Sequence, residues 1–190
     1  GGGVIGLSVA LRMLNLGKEV TLIDCEDPGS GASYGNAGTI AEYAVLPVGS
    51  PEVIKRLPAL LFNKNSPIAI KRSEILSLAP WLMKFLYQSM PKQAAKNAQS
   101  IAGLLVNARL RWEDLASQIN GSSLLNSNGS IYIYSSKSIY DAGEKDINHR
   151  KTLGLNAKML NPSELNKLEP NINITEGGAA YFPDCNYMSD

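Results

Sequence analysis

The sequence has very few of the residues that build disulfide or metal sites. Its two cysteines are Cys25 and Cys185, and its one histidine is His149. Two cysteines cannot form the disulfide framework of a small secreted domain, and one histidine leaves no Cys/His cluster for a metal ion. We therefore expect the fold to depend on a hydrophobic core.

Long apolar runs are missing as well. No run approaches the roughly 18 residues of a membrane span, and no charged-then-apolar leader stands at the start. These absences predict a soluble, cytoplasmic protein.

Charge of one sign is not in excess. The chain has 18 basic and 17 acidic residues, which are scattered and give a net charge of +1. A nucleic-acid-binding protein normally has a basic excess or a clustered basic face, so no nucleic-acid partner is expected. What remains, 190 residues that are 44% hydrophobic, is the composition of a globular protein of one domain or slightly more.

Both ends of the chain have the pattern of an incomplete unit. A glycine-rich turn stands at residues 1–6, where such a turn needs a preceding strand, and an extended apolar piece at residues 179–183 has no evident partner strand. We expect the sequence to be a piece of a longer protein.

Hydrophobic spacing predicts a series of helices with a few strands between them. Gly17, Gly121 and Gly154 are expected to end helices, and Ser50 and Asn161 to begin them as N-caps. The predicted helices are residues 4–16, 51–62, 73–90, 91–120, 137–153 and 162–168; the predicted strands are residues 20–24 and 130–134. The pattern indicates an α/β architecture with long helical insertions.

Three glycines and an acidic residue carry the main functional signal. Gly1 and Gly3 would let the backbone turn tightly beside a pyrophosphate, and Gly6 would let the following helix pack closely on a sheet. The helix N-terminus offers N–H groups and a positive dipole end to phosphates. Asp24 ends the second predicted strand, where a carboxylate accepts hydrogen bonds from ribose hydroxyls and repels a 2′-phosphate. The spacing favours dinucleotide binding over a purely structural turn, and NADP is disfavoured.

A loop of small residues follows at positions 31–38. The Ser33 hydroxyl and the backbone of residues 36–38 are placed to reach the pyrophosphate and ribityl chain of a larger cofactor. In a nicotinamide-type domain the chain would instead continue into another helix and strand. The alternative is an ordinary solvent loop.

These motifs resemble the FAD-dependent D-amino-acid oxidase superfamily. The resemblance rests on the glycine turn, on Asp24 and on Ala-Ser-Tyr-Gly-Asn-Ala-Gly at positions 32–38, and the later course is most similar to the bacterial D-amino-acid dehydrogenase branch. Segments 47–51, 65–70, 79–85, 160–170 and 177–183 carry that second similarity. One departure is Asp24, where the superfamily often has the longer glutamate.

The resemblance implies a Rossmann-like FAD-binding βαβ segment at residues 1–50, with its first strand missing. Residues 51–190 would then be a helical insertion and the start of an antiparallel-sheet substrate domain. FAD is the implied cofactor. The implied FAD-binding residues are Gly1, Gly3, Val4, Ile5, Gly6, Asp24, Cys25, Ser33, Asn36, Ala37 and Gly38.

The implied reaction is oxidative deamination of a D-amino acid to a 2-oxo acid and ammonia, by hydride transfer to flavin. The electron acceptor would be a quinone or another acceptor, which implies peripheral association with the inner membrane. Two alternatives stay open: amine oxidation of the glycine or sarcosine oxidase kind, and a truncated nucleotide-binding fragment without activity. The resemblance places the catalytic and substrate-carboxylate residues beyond Asp190.

Other conspicuous side chains are assigned to packing. His149 falls in the last turn of a predicted helix, where the dipole favours cations, and Trp81 lies on an apolar helical stripe. Tyr132 and Tyr134 share one strand face and are expected to be half-buried. Tyr43, which follows the small-residue loop, is the best candidate here for a residue near the active site.

Overall fold

The computed structural model describes residues 1–62 and 74–189. Its helices are α1 (Val4–Asn15), α2 (Pro51–Phe62), α3 (Ile75–Gln88), α4 (Pro91–Leu105), α5 (Ala108–Gln118), α6 (Lys137–Thr152) and α7 (Pro162–Leu168). Its strands are β1 (Thr39–Ile40), β2 (Leu125–Asn126), β3 (Ser130–Tyr134), β4 (Lys158–Leu160), β5 (Gly178–Phe182) and β6 (Asn186–Met188). The segment at residues 65–70 that contributed to the resemblance, and the expected helix start at Ser73, lie outside the described residues.

Helix α1 follows the glycine turn directly, as the sequence predicts. It ends at a Leu16 cap, and Gly17 takes the left-handed conformation (φ +71°) that lets the chain leave a helix. None of its residues is buried: Met13, whose place in the helical spacing favours an inward-facing side chain, is 39% exposed. The apolar side of α1 therefore lies open.

The strand predicted at residues 20–24 is not present. These residues form no ladder; the Gly1 nitrogen donates to Ile23 O (2.7 Å) and Gly2 N donates to Asp24 Oδ2. A segment with a strand-like sequence forms a β-strand only when another strand pairs with it. The segment is held instead by these contacts with the glycine turn.

The helical region agrees with the prediction at the start of α2 and differs from it at two points. Ser50 Oγ accepts from Val53 N (3.4 Å) at the start of α2, as an N-cap should. The single helix predicted over residues 91–120 is two helices, because the chain breaks at Val106 and Asn107 takes φ +66°. Trp81, expected in a core, is 58% exposed and stacks on Phe85 with ring centroids 5.3 Å apart.

Within residues 1–62 and 74–189, the strands form two three-stranded antiparallel sheets. The first has the order β1-β6-β2, with Thr39 opposite Tyr187 and Ile40 opposite Asn186. The second has the order β3-β5-β4. Strand β5, which was expected to lack a partner, is the central strand of this second sheet and pairs along its whole length with β3.

Helix α6 packs on the second sheet and completes the core. Buried residues on this face are Tyr43, Ile147, Ala157, Ala180, Phe182 and Cys185. Helix α7 begins with a full capping box, in which Asn161 and Glu164 each bind the other's backbone N–H. The first sheet joins the loop after α1 to β6, and the chain that follows β1 contributes Tyr43 to the core, with Ala41 packed against it.

Candidate functional site

The turn before α1 is tight enough to require glycine. A Cβ at Gly6 would lie 1.8 Å from the carbonyl oxygen of Gly1, and a Cβ at Gly3 would lie 3.0 Å from Ser33 Oγ. Gly6 was predicted to give room between helix and sheet; here the room it provides is for the turn itself. Glycine at these positions therefore allows the turn to pack closely against Ser33 and the start of α1.

The N-terminus of α1 presents donors beside this turn. Helix geometry leaves the N–H groups of Val4, Ile5 and Gly6 without partners inside the helix. Val4 N donates to Ser33 Oγ (2.9 Å), so the Ser33 hydroxyl lies directly at the helix start. These N–H groups, together with the positive end of the helix dipole, form an arrangement that suits a phosphate.

Asp24 faces the glycine turn from the other side. Its Oδ2 accepts from Gly2 N, and its Oδ1 accepts from Glu26 N (3.2 Å). The hydrogen bond from Gly2, followed by that from Glu26, lowers the pKa of Asp24 from 3.8 to about 2. The exposed carboxylate is therefore ionised at neutral pH, and it keeps lone pairs with which to accept hydrogen bonds from hydroxyl groups.

Cys25 lies next to Asp24 and is exposed. Its thiol donates weakly to Asp24 Oδ1, with the sulfur 3.5 Å from the oxygen. The thiol thus adds to the polar surroundings of the carboxylate.

The small-residue loop is ordered by its own polar groups. Asn36 Nδ2 donates to Ser33 O (2.9 Å), and Asn36 Oδ1 accepts from Gly38 N (2.6 Å). The Asn36 side chain therefore shapes the loop, and Ala37, between Asn36 and Gly38, is exposed. Gly38 has φ +61° and touches β6, where its carbonyl accepts from Met188 N (2.9 Å).

The predicted residues thus fall into two neighbouring groups. In the first group, the residues of the glycine turn and of the start of α1 form one small surface together with Asp24, Cys25 and Ser33. The residues of this first group are Gly1, Gly3, Val4, Ile5, Gly6, Asp24, Cys25 and Ser33. Asn36, Ala37 and Gly38 form the second group, between that surface and β6.

Sequence reasoning missed two contributors to this site. Gly2 donates to Asp24, and a Cβ at Gly2 would lie 3.2 Å from Asp24 Oδ2, so this position of the turn also needs glycine. The run of three glycines was the available signal. Met188 fixes Gly38 through backbone contacts alone, for which a sequence has no signal.

A groove adjoins the start of α1. It has a volume of about 600 Å³ and lies between α1 and α5. Val4 and Ile5 line it along with Trp112 and Leu115 of α5. Asn15 Nδ2 donates to Gln118 Oε1 (2.8 Å) where the two helices meet. The surface that carries the phosphate-type donors therefore continues into an apolar groove.

Two kinds of feature are absent from the described residues. No helix among them is both long and apolar enough to span a membrane. Residues 1–62 and 74–189 also contain no group of three or more His, Cys, Asp or Glu side chains that could hold a metal ion.

Comparison with known proteins identifies the family of the chain. The sequence profile of the DAO family, described as FAD dependent oxidoreductase, matches residues 1–190. The chain is 32% identical over 175 residues to a D-amino-acid oxidase of Bradyrhizobium diazoefficiens, covering 90% of the chain and 41% of that protein. It is 28% identical over 189 residues to D-amino acid dehydrogenase 2 of Ralstonia nicotianae, covering 97% of the chain and 44% of that protein.

The fold has a solved counterpart. The crystal structure of glycine oxidase from Geobacillus kaustophilus superposes with a TM-score of 0.59 at 20% identity, covering 100% of the chain and 39% of that protein. This similarity, with the mixed helices and antiparallel sheets, confirms the predicted fold class. The chain spans about two fifths of the length of the relatives that it matches. Because the family match covers the whole sequence, the chain belongs to the DAO family of FAD-dependent oxidoreductases.

Proposed function

We propose that the chain binds FAD across the start of α1 and serves an oxidation of D-amino acids to 2-oxo acids and ammonia. One observation carries the binding part: the glycine turn, Asp24 and the Ser33 hydroxyl converge on the N-terminus of α1. In this proposal residues 1–50 form the FAD-binding segment. Residues 51–190 form the helical insertion and part of the substrate domain.

The residues at this surface suit the parts of FAD in order. The N–H groups of Ile5 and Gly6 face the pyrophosphate, whose charge is favoured by the helix dipole. Asp24, with its lowered pKa, accepts from the ribose hydroxyls of the adenosine, and Cys25 lies beside that adenosine. Ser33 fixes the helix start, and residues 36–38 lead toward the flavin end. The lack of a side chain at Gly3 and Gly6 lets Ser33 and the Gly1 carbonyl pack against the start of α1.

The protein residues supply binding and orientation, and the cofactor supplies the redox chemistry. When bound, the flavin provides an acceptor for the hydride that leaves Cα of the substrate, and the imine so formed reacts with water to give a 2-oxo acid and ammonia. The ionised Asp24 favours FAD over a cofactor with a 2′-phosphate by charge repulsion.

The substrate class is supported by the names of the relatives. Both the Bradyrhizobium and the Ralstonia protein are named for D-amino acids. The likeness to glycine oxidase concerns the fold alone at 20% identity, so oxidation of glycine or sarcosine is an outcome that the test must separate. We propose that a quinone or another acceptor takes the electrons. We also propose that the protein is cytoplasmic and associates peripherally with the inner membrane.

Anaerobic reduction of the bound flavin tests the proposal. The intact protein is mixed without oxygen with D-amino acids, their L forms, glycine and sarcosine, and the flavin absorbance is followed. Bleaching by D-amino acids and not by L forms is expected. Bleaching by glycine or sarcosine alone would refute the substrate class, and a colourless protein that binds no added FAD would refute cofactor binding.

A further inference from the structure

Arg150 is a buried cation on α6 that no sequence pattern singles out. It is 9% exposed, whereas its neighbours His149 and Lys151 are exposed. Its Nε donates to Asp146 Oδ2 (2.9 Å), one helical turn earlier. Its Nη1 donates to the backbone carbonyl of Tyr43, 107 residues away in sequence.

This arrangement uses the shape of a guanidinium. A buried charge is costly unless it is paired and hydrogen-bonded, and Arg150 achieves both with two different nitrogens of one planar group. The guanidinium carbon also lies 5.9 Å from the centre of the Phe182 ring, within the range of a cation–π contact. A lysine has a single ammonium at the end of a flexible chain and cannot reproduce this fork.

Tyr43 is fixed from its side chain as well. Its ring stacks on Phe182 with centroids 4.5 Å apart, and it meets Tyr132 edge to face at 5.3 Å. The aromatic contacts hold the side chain, and Arg150 holds the backbone. The chain at Tyr43 is therefore immobilised by the core of the second sheet and by α6.

Tyr43 is close in sequence to the cofactor-side loop. Only β1 and two residues separate it from Gly38, whose carbonyl is bound by Met188 of β6. A shift of the chain at residue 43 would pull on β1 and on its pairing with β6. The position of residues 36–38 consequently depends on the anchor at Tyr43.

We propose that Arg150 is a positioning residue for the FAD site, acting through the Tyr43 carbonyl to hold residues 38–40 in register with β6. This proposal rests on the proposed function, because it assumes that FAD contacts the loop at residues 36–38. Arg150 itself does not touch the cofactor. Its effect passes through the backbone from residue 43 to residue 38.

The test uses three variants of the intact protein. Arg150→Met removes the charge and both hydrogen bonds, Arg150→Lys keeps the charge and loses the fork, and Lys137→Met is the matched control. Lys137 makes an i,i+4 pair with Asp141 on the same helix (3.0 Å), but both side chains are largely exposed. Exposed ion pairs of this kind contribute little to the free energy of unfolding.

Hydrogen exchange of the apo protein and FAD titration are the two readouts. In Arg150→Met we expect exchange at residues 38–45 to rise about tenfold to a hundredfold, the scale of a lost charge-assisted hydrogen bond. FAD binding should weaken about tenfold or more in the same variant. Arg150→Lys should fall between Arg150→Met and wild type, and Lys137→Met should match wild type in both measurements.

Several results would overturn this role. If the hydrogen-exchange rate at residues 38–45 is unchanged in Arg150→Met, Arg150 does not position this segment. A uniform rise in the exchange rate over α6 and the second sheet would also refute the role, because it indicates general destabilisation. If exchange rises locally and FAD affinity is unchanged, the loop is not positioned for the cofactor. Failure of wild type to bind FAD refutes the proposed function instead, and local exchange would still report whether Arg150 holds the segment.

Discussion

Replacing Gly38 with alanine perturbs the point where the small-residue loop meets β6. Gly38 has φ +61°, and a Cβ there would lie 2.4 Å from the carbonyl oxygen of Met188. Gly35, three residues earlier in the same loop, has φ +67° and nothing within 4 Å of a Cβ. The two positions share a backbone conformation and differ in whether a side chain has room.

The structure sets the size of the difference. Alanine in the left-handed region costs about 1–2 kcal/mol at either position, so this part of the loss is common to both variants. The contact with Met188 adds about 1–3 kcal/mol at Gly38 alone, the usual cost of forcing an atom into packed space. For a protein of this size the added loss lowers Tm by about 2–12 °C relative to Gly35→Ala.

Thermal and urea unfolding of both variants measure this difference, and FAD titration reports on the site. Gly38→Ala should be less stable than Gly35→Ala and should bind FAD more weakly, since the loop must move away from β6. Equal stability of the two variants would refute the close approach of Gly38 to Met188. Equal FAD affinity would refute a cofactor role for this end of the loop.

Three further outcomes are expected. Gly6→Ala should impair FAD binding, because the Gly1 carbonyl oxygen must move about 1.2 Å before it lies even 3.0 Å from the new Cβ. As a control, Gly103→Ala places its Cβ in open space on α4 and should gain about 0.5–1 kcal/mol of stability in urea unfolding. Asp24→Asn should weaken FAD binding in a titration, whereas Asp27→Asn, three residues away, should not. Folding lowers the pKa of Asp24 from 3.8 to about 2, so its charge stabilises the fold above pH 3.8, and this contribution disappears as the pH falls toward 2. In acid unfolding, the same Asp24 variant should therefore lack this part of the pH dependence of stability.

The local parts of the site were predictable from the sequence. A helix that begins after a glycine turn and ends at Gly17 follows from spacing and from glycine chemistry, and the structure confirms it. The N-cap at Asn161, outside the site, is equally local and is confirmed. In each case the residues that interact lie within a few positions of one another.

Predictions that depended on a distant partner failed more often. The strand at residues 20–24 was wrong because strand propensity is realised only when another strand pairs with it. The helix at residues 91–120 kept its apolar periodicity across Asn107, although the backbone there turns left-handed and starts a new helix. Apolar periodicity shows which face of a helix is apolar, but it does not show where the helix is interrupted.

Long-range polar contacts had no signal in the sequence. Arg150 and Tyr43 are 107 positions apart, and the acceptor on Tyr43 is a backbone carbonyl that any residue would supply. Arg150 lies with His149 and Lys151 in the last turn of α6, where the helix dipole favours cations, and this placement does not show which of the three is buried. Only the packing of α6 on the second sheet identifies it.

A structure of the intact protein with FAD bound tests the proposed binding mode. We expect the pyrophosphate within hydrogen-bonding distance of the Ile5 and Gly6 N–H groups, the adenosine ribose at Asp24, and the flavin beyond residues 36–38. FAD bound elsewhere, for example along the groove between α1 and α5 with Asp24 free of contact, would contradict it.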